Sequence, residues 1–407
     1  MRRHLWALMV ALAILPSCTG SKTNEITALL AVAVNIPTGT EVAPLLRFYD
    51  TASLTPGSNA GTLARKVGEW PLTANDPIVA TLFQRSTVSG GPDQIWVLTK
   101  GNLIRLSVAG LATNANPFPP VPPNAVNSPA LGVDCSQGYL RQGVSSLLVV
   151  CPPPSPTSTA LPTVWKVDLN NPTLDPTANP PLNLSALSTL TPLRFALDNQ
   201  DRLVYLGGLG GLTIGIGTTR TTNDVFRDLT SLAGKPNPTA FPSDFIVQTN
   251  TANNTATAYG LYTDPTVTTA VTYLLTWDLS GTPAFVPTPD PTTSLSARFF
   301  AVGGPPLVLL GGPTVGNSTP ATALARFADG AYRLPPPNVL DRNLQYSSAV
   351  LGLDQYLYAA VAGGSTLWVL DFSVPTENLA PNGRTSLFLD PTTNAPTVAL
   401  AYVPLTQ

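Results

Sequence analysis

The sequence predicts an all-β fold, and three features of its composition lead to that prediction. Hydrophobic residues make up 43% of the chain, enough to bury a large core. Charged residues make up only 11%, less than half of the ~25% found in typical globular proteins, which argues against a disordered chain. The 43 prolines are scattered along the chain and interrupt nearly every window in which a long helix could form.

The N-terminal segment has the parts of an export signal. Arg2 and Arg3 supply positive charge, Leu5–Leu15 is an unbroken apolar run, and small or turn-forming residues follow. The apolar run is about half as long as the ~20 residues that a membrane-spanning helix needs. We therefore expect residues 1–17 to be a signal peptide that is removed on export.

The end of this segment, Leu15-Pro16-Ser17-Cys18, resembles the lipobox of bacterial lipoproteins. The resemblance implies that Cys18 becomes the first residue of the mature chain and carries palmitate and other acyl chains, which anchor the protein to the cell envelope. Pro16 departs from the usual pattern, and the alternative is an ordinary secretory signal with an incidental cysteine. Because Thr19, not aspartate, follows the cysteine, the resemblance implies the outer membrane in a two-membrane bacterium. Residues 18–24 then form a short polar tether.

Two further cysteines, Cys135 and Cys151, remain in the mature chain. An exported protein lies in a compartment that permits oxidation, so we expect these residues to form a disulfide bond. The bond would close a loop of about sixteen residues and contribute about 3 kcal/mol to the free energy of unfolding in the chain-entropy model.

One strand pattern recurs along the mature chain and predicts its architecture. A short apolar strand that ends in a polar or small turn occurs seven times. The seven copies begin at Leu45, Leu103, Val164, Leu212, Leu274, Ala323 and Leu367. An even division of the mature chain gives units of roughly 56 residues, which is close to the length of one four-stranded sheet with variable loops.

Several strands are apolar at consecutive positions, as in Ala28–Val34 and Leu203–Leu206, and such strands are buried on both faces. Sheets stacked face to face around an axis bury both faces without covering helices. Residues 25–407 therefore resemble a single β-propeller domain with NHL-like or quinoprotein-like repeats. Seven recurrent strands favour seven blades, with eight as the alternative. We expect residues 26–35 to pair with residues 397–403 and close the ring.

Two other architectures would also fit parts of the pattern. A parallel sheet covered by helices buries both faces of its strands, but the prolines leave only one good helix candidate, Asn223–Ala233, which we expect as a surface insertion. Its residues Val225, Leu229 and Leu232 would lie on one face. A tandem array of β-sandwich domains is the other alternative, and it predicts an elongated particle instead of a compact disk.

The mature chain contains no histidine, because His4 lies within the predicted signal peptide. Histidine-dependent triads, general bases and zinc sites are therefore excluded. Asp134, Asp198 and Asp354 stand at or just before predicted hairpins, and together they would be able to hold calcium or another divalent ion for hydrolysis. The alternative is that each carboxylate stabilises its own turn. We predict no catalytic residue and no cofactor, with a calcium site as the alternative.

The sequence thus predicts a non-enzymatic binding or scaffold module held at a membrane by its lipid anchor. The formal net charge of −2 and the dispersed lysines argue against nucleic acid as a partner. We expect a monomeric domain whose loops contact an envelope protein or a glycan. The alternative is a propeller hydrolase or lactonase that uses a divalent metal held by carboxylates at the axis.

Overall fold

The computed structural model describes most of the chain between Ile26 and Leu405. The described residues are 26–56, 64–86, 93–109, 111, 126–127, 130–155, 158–170, 179–208, 212–218, 225–250, 253–264, 272–286, 299–303, 307–311, 324–336, 344–379, 384–389 and 395–405. The predicted signal peptide, Cys18 and the tether lie outside these ranges. Within them, no helix is long and apolar enough to cross a membrane.

Seven small sheets surround a common axis, so the fold is an all-β, seven-bladed propeller. Each sheet is antiparallel, and in six of the seven the first strand in sequence lies nearest the axis, whereas in the sheet that contains β1 this place is taken by β27. The inner strands contact one another around the ring. The inner strands are β4 (Ile78–Gln84), β8 (Tyr139–Gln142), β11 (Leu193–Leu197), β15 (Phe241–Asn250), β19 (Phe299–Phe300), β23 (Tyr346–Leu351) and β27 (Thr397–Pro404).

The remaining strands lie at increasing distance from the axis. The second strands are β1 (Ala28–Thr38), β5 (Gln94–Thr99), β9 (Ser146–Cys151), β12 (Leu203–Gly207), β16 (Thr255–Thr263), β20 (Leu307–Leu310) and β24 (Tyr356–Val361). The third strands are β2 (Glu41–Asp50), β6 (Leu103–Ser107), β10 (Thr163–Asp168), β13 (Thr213–Ile216), β17 (Thr272–Asp278), β21 (Leu324–Ala328) and β25 (Thr366–Asp371). The outermost strands are β3 (Lys66–Pro71), β7 (Val126–Asn127), β14 (Phe226–Asp228), β18 (Ala284–Val286), β22 (Ala331–Arg333) and β26 (Arg384–Phe388).

The blades are numbered I to VII along the chain, starting with the blade that contains β1, β2 and β3. The seven recurrent strands of the sequence are the third strands of these seven blades. The number of repeat copies therefore equals the number of blades, and the eight-bladed alternative is wrong. Short 3-10 segments at Thr51–Ser53, Ser185–Leu190 and Thr376–Asn378 are the helical elements of the described ranges.

Seven apolar clusters fill the spaces between neighbouring blades. Strand β1 shows why its sequence is continuously apolar. Leu29, Ala31 and Ala33 pack toward blade II, whereas Leu30 and Val32 pack toward blade VII, and all five are fully buried. Both faces of the sheet are thus in the core, as predicted.

The ring is closed by strands from the two ends of the chain. Although β27 is last in sequence, it is the inner strand of blade I and pairs antiparallel with β1. Ala28 lies opposite Pro404, and Leu29 lies opposite Val403. The expected pairing of residues 26–35 with residues 397–403 is confirmed, and it gives the inner edge of β1 a hydrogen-bonding partner.

Within the described residues, blade III has three strands, and prolines explain why residues 179–182 do not form a fourth. The outer position is taken by the chain from Asn179 to Leu182, which makes two separate hydrogen bonds to β10. Asn179 Nδ2 donates to the Lys166 carbonyl at 3.2 Å, and the Leu182 N–H donates to the Val164 carbonyl at 2.8 Å. The two residues between them are prolines, which have no N–H group and cannot continue a ladder.

The helix predicted at Asn223–Ala233 is wrong for the described part of that segment, which begins at Val225. Residues 226–228 instead form β14 and pair with β13 at the outer edge of blade IV. A turn follows, in which the Asp228 carboxylate accepts a hydrogen bond from the Thr230 N–H at 2.8 Å. Leu229, expected on the helix face, is buried between blades IV and V. Pairing with a sheet edge has outweighed the local helical spacing.

The predicted disulfide bond between Cys135 and Cys151 is confirmed. Cys135 precedes β8, Cys151 ends β9, and both residues are buried in the cluster between blades II and III. The bond therefore ties the chain that enters blade III to the second strand of the same blade.

Candidate ligand site in the axial channel

Inner strands from all seven blades line a channel along the axis, with a cavity of about 330 Å³. Each inner strand is the last strand of its sheet on the axial side, so one edge of its backbone faces the channel without a partner strand. Buried N–H and C=O groups must be hydrogen-bonded, and here side chains supply many of the bonds, beside the backbone bonds between Val302 and β23. The polar residues of the channel follow from this requirement.

Arg141, on β8, crosses the inner wall to reach blade V. Its Nε donates to the Phe245 carbonyl at 3.0 Å, and its Nη1 donates to the Leu140 carbonyl at 3.0 Å. Its Nη2 forms an ion pair with the Asp244 carboxylate, and both side chains are largely buried. One guanidinium group thus satisfies two edge carbonyls and a carboxylate.

Asp244, on β15, accepts three hydrogen bonds. Besides the ion pair, its Oδ1 accepts a hydrogen bond from its neighbour's N–H, that of Phe245, at 2.8 Å, and its Oδ2 accepts one from the Phe300 N–H at 2.9 Å. Phe300 lies on β19, so a single carboxylate links blades III, V and VI at the axis.

Arg194, on β11, makes bonds of the same type but has no carboxylate partner among the described residues. Its Nε donates to the Ser243 carbonyl at 3.2 Å, and its Nη1 donates to the Leu193 carbonyl at 3.3 Å. Arg141 and Arg194 each follow a leucine whose carbonyl they bond, so the same local arrangement occurs in two adjacent inner strands.

Tyr139 lies beneath both guanidinium groups. The Cζ atoms of Arg141 and Arg194 are 4.8 and 5.9 Å from the centre of its ring, a cation–π arrangement. Its hydroxyl oxygen accepts a hydrogen bond from the Phe195 N–H at 2.9 Å. Burial raises the pKa of Tyr139, and the two arginines act in the opposite direction, so the phenol stays neutral at physiological pH.

The opposite side of the channel is lined by neutral side chains. Ser347 Oγ donates to the Thr397 carbonyl at 2.6 Å, and Ser348 Oγ accepts from the Leu400 N–H at 3.1 Å. Thr81, on β4, is buried, and its hydroxyl has no hydrogen-bonding partner among the described residues. The channel is therefore cationic on the side of blades III and IV and neutral on the other.

We call the end of the ring where the inner strands begin the upper face, and the end where they turn into the second strands the lower face. A second cavity of about 250 Å³ lies at the lower face and shares Thr81, Val302 and Leu400 with the channel. Its wall is mainly apolar, including Leu351 and Leu353. The two cavities therefore adjoin: the channel has both polar and apolar walls, and the lower cavity is mainly apolar, with the exposed Arg85 as its charged residue.

The lower face also carries the exposed large apolar side chains of the described residues. Val144, Val302 and Leu353 are 58%, 40% and 71% exposed, and each lies in or beside the turn after an inner strand. Val302 and Leu353 stand at the lower cavity itself. These three residues are named the apolar rim.

Carboxylates fix the turns that present this rim. Asp201, at the lower face of blade IV, accepts hydrogen bonds from the N–H groups of Val144 and Ser145, both at 2.7 Å, and from Ser145 Oγ at 2.6 Å. A Cβ atom on Gly143 would lie 1.9 Å from the Asp201 carboxylate, so a larger residue there would displace the carboxylate from these hydrogen bonds. Asp201 was not among the aspartates predicted from the sequence.

The structure does not bring Asp134, Asp198 and Asp354 together. Asp134 lies ahead of β8 at the upper face, where it accepts from the Ser136 N–H at 2.8 Å, and this hydrogen bond lowers the pKa of its exposed carboxyl. Asp198 and Asp354 follow β11 and β23 at the lower face. The described residues contain no group of three or more histidines, cysteines or acidic residues placed to hold a metal ion.

The two lower-face carboxylates act within their own turns. Asp198 accepts from the N–H of Arg202 at 2.8 Å and pairs with its Nε at 2.7 Å. Asp354 accepts from the Tyr356 N–H at 3.1 Å and from the Tyr358 hydroxyl at 2.7 Å. Burial, and then the charge on Asp354, raises the pKa of Tyr358, which keeps this phenol a donor. Asp354 thereby holds the turn that presents Leu353.

The functional residues that sequence reasoning missed come from separate blades. Tyr139 and Arg141 lie on β8, Arg194 on β11 and Asp244 on β15, so no local spacing unites them. The one available signal was the leucine–arginine pair that occurs in both β8 and β11. Without knowledge of which strands face the axis, that signal has no meaning.

No protein-family model matches this chain, and no curated protein matches it in sequence. Solved structures are similar to it in overall fold. A streptogramin B lyase structure has a TM-score of 0.48 at 10% identity, over 80% of this chain and 86% of that chain. Virginiamycin B lyase from Staphylococcus aureus has a TM-score of 0.44 at 10% identity, over 76% and 83%. Apo AztD from Citrobacter koseri has a TM-score of 0.45 at 13% identity, over 92% and 98%.

Proposed function

We propose that the protein is a lipid-anchored lipoprotein of the bacterial cell envelope whose propeller is a non-enzymatic binding module. The lipobox-like segment ending at Cys18 supports the anchor. The disulfide bond between Cys135 and Cys151 suits an exported protein, because such bonds persist in oxidising compartments. The propeller supplies a rigid body with two faces that can contact a partner.

The observation that carries the binding role is the apolar rim. All three of its side chains stand on one face, and that face surrounds the mouth of the lower cavity. Val302 and Leu353 line that cavity together, and exposed apolar side chains beside an apolar cavity mark a surface that a partner covers. Aliphatic side chains held on rigid turns suit a protein surface, so the partner we propose is an envelope protein.

The alternative of a metal-dependent hydrolase does not fit the carboxylates on which it was based. Asp134 is at the opposite face from Asp198 and Asp354, and each of the three carboxylates is engaged in a turn. The carboxylate that does lie in the channel, Asp244, already accepts from an arginine and two backbone N–H groups. We propose no hydrolytic step.

Site-specific photo-crosslinking in intact cells tests the binding role. A photoreactive amino acid replaces Leu353 on the lower face or, as the control, Thr40 in the exposed turn between β1 and β2 on the upper face. We expect a discrete crosslinked product at residue 353 and none at residue 40. Equal labelling at both positions, or none at either, would contradict a partner on the lower face.

The anchor has a separate test. Cys18→Ala should abolish labelling with a radioactive or clickable palmitate and move the protein from the membrane fraction to the soluble fraction, whereas Thr19→Ala should change neither. Membrane association that persists in Cys18→Ala would refute the lipid anchor.

A further inference from the structure

Arg194 keeps one side of its guanidinium group available in the channel. A guanidinium has five N–H donors, and the Arg194 bonds to Ser243 and Leu193 use Nε and one hydrogen of Nη1. No hydrogen bond of the described residues reaches its Nη2, and no described carboxylate lies within ion-pair distance. The two carbonyl bonds fix the group in place, so it is a preorganised donor pair.

The neighbouring arginine shows what is missing. Arg141 makes the same bonds to backbone carbonyls, and it also has the Asp244 carboxylate on its Nη2. Among the described residues that line the channel, these two arginines and one aspartate are the charged groups, which leaves one positive charge without a counterion. A planar carboxylate fits the open edge of a guanidinium in a bidentate manner.

The adjoining lower cavity indicates what the carboxylate is attached to. Its wall is formed mainly by apolar side chains such as Leu351, Leu353 and Leu400, and it meets the channel at Thr81. The charged residue of this wall, Arg85, is exposed, whereas Arg194 is held inside the channel by its two carbonyl bonds. The unpartnered hydroxyl of Thr81 therefore stands between the polar and the apolar cavity. A ligand that fills both cavities needs an anionic end and an apolar end.

We propose that the channel binds an organic acid with an apolar chain, whose carboxylate pairs with Arg194 while the chain lies in the lower cavity. This inference rests on the proposed function, because it names the ligand class of a binding module. Carboxylate recognition and apolar burial then act on the two ends of one molecule, and neither end alone fills the site.

Calorimetry with three simple probes tests both ends. The purified full-length chain carries Cys18→Ala, so that no acyl chain of its own competes, and is titrated with octanoate, octanamide and acetate. We expect octanoate to bind. Octanamide should bind about tenfold to hundredfold more weakly, because it lacks the charge that strengthens the hydrogen bonds. Acetate should be weaker still, since each buried methylene is worth about fourfold in affinity.

Variants of Arg194 in the channel and of Leu353 at the lower cavity test whether the probe binds at this site. Arg194→Gln should weaken octanoate binding about tenfold to hundredfold and octanamide binding much less, whereas a merely structural role of Arg194 would weaken both equally. Arg194→Lys, which keeps the charge, should be intermediate. Leu353→Ser, at an exposed position that does not threaten the fold, should weaken octanoate but not acetate. Arg227→Gln is the matched control, because Arg227 is exposed on the outer strand β14 and bonds its neighbour's carbonyl.

Three results would overturn the proposal: equal affinity for octanoate and octanamide, unchanged octanoate binding in Arg194→Gln, or no binding of any probe. A short peptide that ends in leucine carries the same chemistry, and comparing its free-acid and amidated forms distinguishes a peptide C-terminus from a free acid as the source. If no probe binds while a photoreactive residue at position 353 still crosslinks a partner, the ligand site in the channel is refuted and the binding role of the lower face is retained.

Discussion

Blades I and III are held together in different ways. Blade I has four strands, and its closure is a hydrogen-bond ladder that runs from Ala28 opposite Pro404 to Val34 opposite Thr397. In the described part of the chain, blade III has three strands, a proline-containing segment beside the third, and a disulfide bond at the upper face. One blade relies on backbone pairing between distant parts of the chain, and the other adds a local covalent bond.

The difference shows how sequence composition decides which device a blade uses. The chain beside β10 contains two consecutive prolines and cannot form a ladder, so blade III loses the pairing that an outer strand supplies. Strands β1 and β27 contain long apolar stretches suited to pairing and burial on both faces. We infer that the propeller cannot fold without the ladder of blade I, whereas the disulfide adds stability to a propeller whose ring is already closed.

Removing β27 tests this inference and has the largest expected effect. Deletion of residues 397–407 takes away the inner strand of blade I and uncovers Leu29, Ala31 and Val32, which are fully buried. We expect loss of soluble, cooperatively folded protein, because an open ring exposes both an apolar face and an unpaired strand edge. Circular dichroism melting and size-exclusion chromatography provide the measurements.

A deletion of residues 406 and 407 alone is the control and should melt like the full chain. If the larger deletion still melted cooperatively within a few degrees of the full chain, the ladder would not be what holds the ring.

The blade count could be predicted from sequence because the third strands share one environment. Each lies between an inner pair of strands and an outer strand or its substitute, so each needs an apolar run followed by a turn. That shared requirement produced seven recognisable copies, from Leu45 in β2 to Leu367 in β25. Closure could be predicted too, because β1 and β27 are both too apolar to remain exposed at an edge.

Local spacing failed where a sheet edge decided the structure. Val225, Leu229 and Leu232 have the spacing of a helix face, and their burial in the cluster between blades IV and V is real. The segment reaches that cluster as strand β14 and a turn, because three residues of β13 were available for pairing. Apolar spacing in so short a segment specifies burial more reliably than it specifies a helix.

The candidate site could not be predicted for a different reason. Arg141, Arg194 and Asp244 lie on three adjacent inner strands that are far apart in sequence, and their roles depend on backbone edges that exist only once the ring is formed. The aspartates that did stand out, such as Asp198 and Asp354, precede hairpins, and a carboxylate at that position most directly serves its turn.

The disulfide of blade III should have an intermediate effect. Cys135→Ala combined with Cys151→Ala opens a loop with a sequence separation of 16 residues, and the free energy of unfolding should fall by about 3 kcal/mol. Because the ladder of blade I is intact, we expect the variant to remain soluble and cooperative. Guanidinium unfolding of the variant and of the reduced wild type should give the same loss. A collapse as severe as that of the β27 deletion would overturn the distinction between the two blades.

The smallest expected effects come from removing either of two tyrosine hydroxyls that link neighbouring blades. Tyr49 of blade I donates to the buried Leu389 carbonyl of blade VII at 2.8 Å, whereas the Tyr139 hydroxyl of blade III accepts from the Phe195 N–H of blade IV at 2.9 Å. Tyr49→Phe leaves a buried carbonyl without this donor and should cost about 1 kcal/mol. Tyr139→Phe should cost less, about 0.5 kcal/mol, because Tyr139 lines the channel.

Access of water explains why Tyr139→Phe should lower the free energy of unfolding less than Tyr49→Phe. A cavity of about 330 Å³ has room for several water molecules, and one of them can replace the Tyr139 hydroxyl as acceptor for the Phe195 N–H. Tyr49, in contrast, is 1% exposed in the cluster between blades VII and I and lines neither of the two cavities described above. Thermal melts of the two single variants and the double variant measure both costs, which should add because the sites are in separate interfaces. The reverse order would mean that water does not enter the channel, and the ligand would then meet Arg194 without first displacing solvent.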